Sequence, residues 1–304
     1  MKKQSLILLG LIVLLFNAVK AQKTDTIRAK ATYAFSHIQD TLNRNKPFTQ
    51  EMVLLLTNQS SCYLSLDKIN FDIQRRKDLA EQMKNSVPGK MNFKVGTDPK
   101  KTIQEELYLY TGEKKMIIKK RLINNYLIEE SFPEINWNLT ADTSTIAGLK
   151  CQKATTHFMG RDYTAWFCPD LPFQSGPWKL NGLPGLIVSA RDAKNEVIFD
   201  FLGFESIKHN GQTKLNEEVE SGGMLTIKGL TNAALLNSPV LYLPKEAIKT
   251  SEKEYQKLAE AMKKDPEGFI SSSMPGTSFK ITNSIKNPVR QETINNPIEI
   301  LEVK

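Results

Sequence analysis

Residues 103–131 constrain the fold more than any other stretch. Three apolar-rich segments, "IQEELYLYT" (103–111), "KKMIIKKRLI" (114–123) and "NYLIEES" (125–131), follow one another with only short turns at Thr111-Gly112-Glu113 and Asn124-Asn125. None carries apolar residues at i, i+3 and i+4, so a helix would have no face to bury. A link of two or three residues reverses a chain but cannot carry a crossover, so neighbouring strands must run antiparallel. Similar patterning recurs in 26–42, 48–59, 61–67, 134–142, the two halves of 151–168, 185–193 and 196–208. The chain is therefore expected to be mainly β: a curved antiparallel sheet or open half-barrel, built as a meander.

Two segments have helical periodicity. Residues 67–85 would end at Ser86-Val87-Pro88-Gly89. In 251–264, Ser251 and Glu254 form a capping box, and Tyr255, Leu258, Ala259 and Met262 share one face. Lys263 and Lys264 occupy the last turn, and Asp265-Pro266 should stop the helix.

The first 21 residues read as a secretory signal. Lys2 and Lys3 precede an apolar run from Ser5 to Phe16, and Val19-Lys20-Ala21 supplies small residues for cleavage before Gln22. The rival, an uncleaved anchor helix, is short of the ~20 apolar residues of a bilayer span. Residues 22–304 then form one β-rich domain, exported to the periplasm, the outer membrane or the medium, with no further transmembrane span. Losing the three signal lysines lowers the formal charge from +8 to +5, with 38 basic against 33 acidic residues. The basic residues are scattered and not interleaved with aromatics, so nothing indicates nucleic-acid binding.

Cys62 stands alone, whereas Cys151 and Cys168 bracket "QKATTHFMGRDYTAWF". A two-residue turn at Met159-Gly160 sets Cys151 directly opposite Cys168, and an oxidising compartment would preserve a bridge between them. A longer turn breaks that register and leaves two independently buried thiols. In the direct register Ala154, Phe158, Tyr163, Ala165 and Phe167 face the core, Lys153 opposes Trp166, and His157 opposes Asp162.

"GPWKLNGLPGLI" (176–187) combines the glycine and proline of a loop with Trp178, Leu180, Leu183, Leu186 and Ile187. Pro184 and Gly185 fit positions i+1 and i+2 of a type II turn. Either this loop folds inward and plugs the core, or it forms the rim of a ligand site. In the rim reading Lys153, Arg161, Trp166, Trp178, Leu183 and Pro184 would line a site for an apolar or peptide ligand.

The hexapeptide Gly182-Leu183-Pro184-Gly185-Leu186-Ile187 resembles the signature of the GLPGLI family of Bacteroidota envelope proteins. Residues 51–65, 151–192 and "NNPIEI" (295–300) are also similar to that family. The resemblance implies an envelope-associated protein without an established activity. A looser fold-level likeness is to the curved sheets of periplasmic lipoprotein carriers.

Catalytic patterns are scarce. His37, His157 and His209 are far apart, with no HExxH or CxxC, so no metal and no cofactor are expected. Ser221-Gly222-Gly223 does not sit in a G-x-S-x-G elbow. Adjacent pairs Glu129-Glu130 and Glu217-Glu218 point to opposite faces of a strand. The expectation is a binding protein for an apolar or peptide ligand or an outer-membrane partner. An envelope hydrolase with an unrecognised site, and a purely structural assembly component, are the alternatives.

Overall fold

The structure, a computed structural model, describes residues 25–84, 102–208, 235–273 and 294–300. Its first half contains β1 (Asp25–Thr26), β2 (Ala29–His37), β3 (Phe48–Leu56), β4 (Ser60–Ser65), helix α1 (Leu66–Lys84), β5 (Glu106–Tyr110), β6 (Lys115–Arg121) and β7 (Asn125–Ser131). The second half contains β8 (Asn138–Ile146), β9 (Leu149–Phe158), β10 (Arg161–Cys168), β11 (Leu186–Asp192) and β12 (Val197–Ser206). The short β13 (Val240–Leu241) and β14 (Ile248–Thr250) precede α2 (Glu252–Lys264) and α3 (Pro266–Ser273). The signal segment, His209, Glu217-Glu218, Ser221-Gly222-Gly223 and Pro88 lie outside the described residues.

Twelve strands form one sheet in the order β14-β7-β6-β5-β4-β3-β2-β12-β11-β10-β9-β8, while β1 pairs with β13. The expected meander is present as two runs, β2 to β7 and β8 to β12. They join through β2 and β12, strands about 160 residues apart in the chain. The sheet is mixed rather than wholly antiparallel, because β14 lies parallel to β7. Among the described residues it is not closed: β14 and β8 are its edges.

One connection excludes a flat sheet. Consecutive strands β7 and β8 lie ten inter-strand steps apart, which is about 48 Å at ~4.8 Å per step. The link from Ser131 to Asn138 spans at most roughly 25 Å when fully extended. The sheet must bend to bring these two strands within that reach.

Side chains on one face build the main core. It runs from Ala31, Tyr33 and Leu54 through Leu107 and Ile118 to Ala154, Tyr163, Ala165 and Phe199. The opposite face carries Val53, Leu55, Cys62, Leu64 and Tyr108, packed with Ile69 of α1 and with Leu235 and Leu241. Within it, Glu106 and Lys119 form a buried pair at 2.7 Å, and the Tyr108 hydroxyl donates to the same carboxylate.

Helix α2 begins as its capping residues predict: the Ser251 side chain accepts from the Glu254 amide. Tyr255 is buried against Tyr126. The Lys120 ammonium sits over the Tyr255 ring and pairs with Glu252. Pro266 does more than stop α2, since it is the first residue of α3. Proline suits that position because the amide it lacks would have no intrahelical acceptor there. Among the described residues no helix is long and apolar enough to cross a membrane.

Candidate functional site

The loop between β10 and β11 is an internal strut. Trp178, Leu180, Leu183, Leu186 and Ile187 all lie in the main core, whereas Gly182 and Pro184 are exposed. Trp178 packs edge-on against Phe158 at 5.7 Å and stacks on Phe199 at 6.5 Å. Its backbone φ is +55°, a conformation that costs a residue with a side chain roughly 1–3 kcal/mol. Burial of the indole must offset that strain.

Hydrogen bonds fasten the strut to distant parts of the sheet. The Tyr33 hydroxyl donates to the Ile187 carbonyl at 2.8 Å, and the Ser175 hydroxyl donates to that of Ser61 at 2.8 Å. Asn181 donates to the Pro133 carbonyl and accepts from the Trp137 indole N–H, tying the strut to the β7–β8 link.

The expected type II turn is not the one formed. Its closing bond would run from the Leu186 amide to the Leu183 carbonyl. Instead the Leu186 amide donates to Leu171, and the Gly185 amide donates to Leu183 at 2.8 Å, closing a three-residue turn around Pro184. Glycine is required at 185 mainly for proximity. A Cβ there would overlap the Cys168 carbonyl and come within 2.9 Å of the Pro169 Cα.

At the far end of the β9–β10 hairpin, Arg161 organises a second feature. Its guanidinium is buried and donates to Asp192 at 2.7 Å and to Glu196 at 3.3 Å. The remaining donors hold the segment 294–300: Nε to the Ile298 carbonyl at 3.0 Å, and the other terminal nitrogen to Asn296 Oδ1 at 2.7 Å and the Pro297 carbonyl at 2.6 Å. Around this centre, the Asn295 and Asn296 amides donate to the Gln39 carbonyl, and the Ile300 amide donates to Met159. Asn296 Nδ2 donates to the Ile38 carbonyl and to Glu196. Lys179, itself buried, reaches Glu299 at 2.7 Å. Gly160 adopts φ +73° in the hairpin turn, and a Cβ on it would meet the Ile300 carbonyl at 2.5 Å.

The anionic side of this cluster is also built. Asp192 Oδ1 accepts from the Glu196 and Val197 amides. Burial pushes the Glu196 carboxyl up, but hydrogen bonds from Arg44, Asn296 and Arg161 outweigh it and hold the group below the usual carboxylate range. His37, at the end of β2, is lowered to about 4 by burial and by the nearby Arg161 charge. Among the described residues its Nε2 has no hydrogen-bond partner, and neither has the buried hydroxyl of Tyr163.

The hairpin register agrees with the two-residue turn: Met159 and Gly160 both have positive φ, Trp166 opposes Lys153, and Asp162 opposes His157. Trp166 is half-buried, and Lys153 pairs with Asp142 at 3.0 Å. The six residues assigned to a ligand rim are therefore dispersed. Trp178 and Leu183 are in the core, Pro184 is at the surface, Arg161 is at the far hairpin end, and Lys153 and Trp166 share a sheet face. His157 Nδ1 lies 2.6 Å from Asp162 Oδ1, but both side chains are more than half exposed, on an open strand pair rather than in a cleft.

Cys151 and Cys168 are free, buried thiols one step beyond the Gln152–Phe167 pair. Burial, then the neighbouring Cys168 thiol, push Cys151 up to about 11. Among the described residues no group of three or more His, Cys, Asp or Glu is placed to hold a metal ion. Sequence reasoning named Arg161 but missed His37, Tyr163, Lys179, Asp192 and Glu196. The one available signal was "NNPIEI", an Asn-Pro step followed by alternating apolar and acidic residues.

Residues 158–189 match a family described as a protein of unknown function, Porph_ging. The matched stretch covers β10, the strut and the start of β11. No curated protein matches the chain. Two crystal structures of PNGF-II, in different space groups, are similar at 11% and 12% identity with a TM-score of 0.46 in each case. The alignment covers 76% of this chain and 32% of theirs, so this chain spans about a third of their length.

Proposed function

We propose that this chain is an exported, envelope-associated protein of the GLPGLI type whose task is to bind a polypeptide partner. One observation carries the choice of polypeptide. The molecule already grips an irregular, bent stretch of chain, 294–300, through that stretch's main-chain groups, using Arg161, Gln39 and Met159. Recognition of backbone amides and carbonyls is the chemistry of peptide binding. An apolar ligand would instead need an apolar chamber, and at the signature loop that volume is filled by Trp178, Leu180, Leu183 and Leu186. The family match spans the strut together with the hairpin turn at 159–161 and Lys179, so it covers the brace and part of the surface that grips 294–300. The groove bounded by Thr57, Gln59, Thr111, Gln174 and Ser175, with Pro172 and Phe173 in its wall, is lined mostly by neutral polar groups and suits a polypeptide better than a lipid.

The test is to purify the protein natively from the envelope fraction of its own cells. We expect an N-terminus at Gln22 and, in mass spectra of the material released by denaturation, a polypeptide in near-stoichiometric amount. Release of lipid without polypeptide would overturn the binding class. An intact Met1 on cytosolic protein would overturn export.

A further inference from the structure

We infer that the Arg161 cluster is a peptide receptor in which residues 294–300 are an exchangeable occupant, and that its partner presents a similarly bent Asn-Pro-apolar-acidic segment carrying one further hydrogen-bonding side chain. This rests on the reading above that the partner is a polypeptide, and it names the site and the motif. The receptor is assembled from four places in the chain: Ile38 and Gln39 after β2, Met159 to Arg161 at the hairpin, Lys179 in the strut, and Asp192 to Glu196 between β11 and β12. Five consecutive residues of the occupant, 296–300, are each held by the cluster. Asn296 is held through its side-chain oxygen and nitrogen, Pro297 and Ile298 through their carbonyls, Glu299 by Lys179, and Ile300 by its amide over the Cβ-free Gly160.

The second, independent observation is that this occupant leaves the receptor incompletely satisfied. His37 is 4% exposed and Tyr163 is 1% exposed. Both sit within the electrostatic reach of Arg161 and Asp192, and Tyr163 also within that of Glu299. His37 already meets the Asn296 backbone, yet among the described residues its Nε2 and the Tyr163 hydroxyl have no hydrogen-bond partner. Unmet polar atoms at that depth are rare and unfavourable. The Ile298 and Ile300 side chains of the occupant have no polar atom to offer them. A segment with the same backbone path and a hydroxyl or amide at one of those positions would engage them and bind more tightly.

The experiment uses the mature chain with a specific protease site introduced between residues 283 and 288. Cleavage removes the covalent tether that joins the tail to the rest of the chain. A labelled peptide TINNPIEI, matching 293–300, is then titrated and followed by anisotropy. We expect saturable binding to the cut protein and binding at least about tenfold weaker to the uncut chain, where the tethered tail competes at high effective concentration. Replacing the peptide residue equivalent to Ile298 by Asn, or that equivalent to Ile300 by Ser, should raise affinity in at least one case by about three- to tenfold. That gain should shrink when His37→Phe or Tyr163→Phe removes the atom it engages.

An uncut Asn296→Ala, Glu299→Ala double variant provides the same test if cleavage unfolds the protein. Its weakened tail should admit the peptide about tenfold more readily than the parent. The inference is overturned if the peptide enters neither protein at about 1 mM, a concentration at which even weak peptide contacts register. It is equally overturned if no polar substitution improves on the native sequence. A natively purified protein that carries a polypeptide while both variants reject the peptide would sink the receptor alone. A lipid in that preparation would sink the polypeptide reading itself.

Discussion

Truncating Trp178 and Leu183 to alanine separates a strut from a rim. Trp178 is 7% exposed and touches Phe158, Tyr163 and Phe199, and Leu183 is 1% exposed in the same core. Removing a buried tryptophan costs about 3–5 kcal/mol and a buried leucine about 2–5 kcal/mol. Relief of the +55° φ does not offset this, because alanine at that φ is still strained. For a folded unit of this size each kcal/mol lowers the melting temperature by about 2–4 °C, so each variant should melt roughly 5–20 °C below the parent. Trp166→Ala is the control. Its ring is only half-buried and opposite Lys153, so its shift should be clearly smaller than that of Trp178→Ala. Thermal melts by near-ultraviolet circular dichroism, with urea midpoints at unchanged slope, would measure all three. If Trp178→Ala and Leu183→Ala both melt within about 2 °C of the parent, less than 1 kcal/mol is at stake and the strut does not support the core.

Gly185→Ala should destabilise well beyond Gly182→Ala in the same melts. Position 182 has open space for a Cβ, whereas position 185 forces one into the Cys168 carbonyl. Equal losses at the two sites would show that conformation rather than close approach sets the need for glycine. Cys151 and Cys168 should be bridged in protein recovered from an oxidising compartment, since the hairpin register sets them side by side. Peptide mapping that alkylates both without reductant would refute the bridge. Acid should loosen the tail. His37 has a folded value of about 4 against 6.5 for an ordinary histidine, so it binds its proton more weakly folded than unfolded. Stability is therefore lost as pH falls from about 6.5 to 4, by at most about 3 kcal/mol, with Glu196 adding loss in the same direction at lower pH. Labelled-peptide release that is flat from pH 7 to 4 would refute it, and His37→Phe should abolish the part between pH 6.5 and 4.

What could be read along the chain was local. Alternation located the strands, the Met159-Gly160 turn set which side chains oppose across the hairpin, and Ser251 marked where α2 begins, because each depends on neighbours a few residues away. The strut was visible as an anomaly, apolar side chains among turn residues, but its turn geometry was not. That geometry follows from the Leu186 amide finding Leu171, and from the Gly185 backbone lying against Cys168. Arg161 shows the limit most clearly. It stands in a hairpin turn where an arginine is ordinarily solvated, and its partners Asp192, Glu196 and Asn296 are 31, 35 and 135 residues away. No pattern in a short window distinguishes such a residue from a surface one. What distinguishes it is burial, and burial here is created by the returning segment 294–300. The strut and the receptor also share one structural cause. A sheet bent enough for the β7–β8 link needs its interior filled, and the loop that fills it carries Lys179 to the receptor. On the proposal made above, the signature residues would act on recognition indirectly, by holding Lys179 where it meets Glu299 or the acidic residue of a partner.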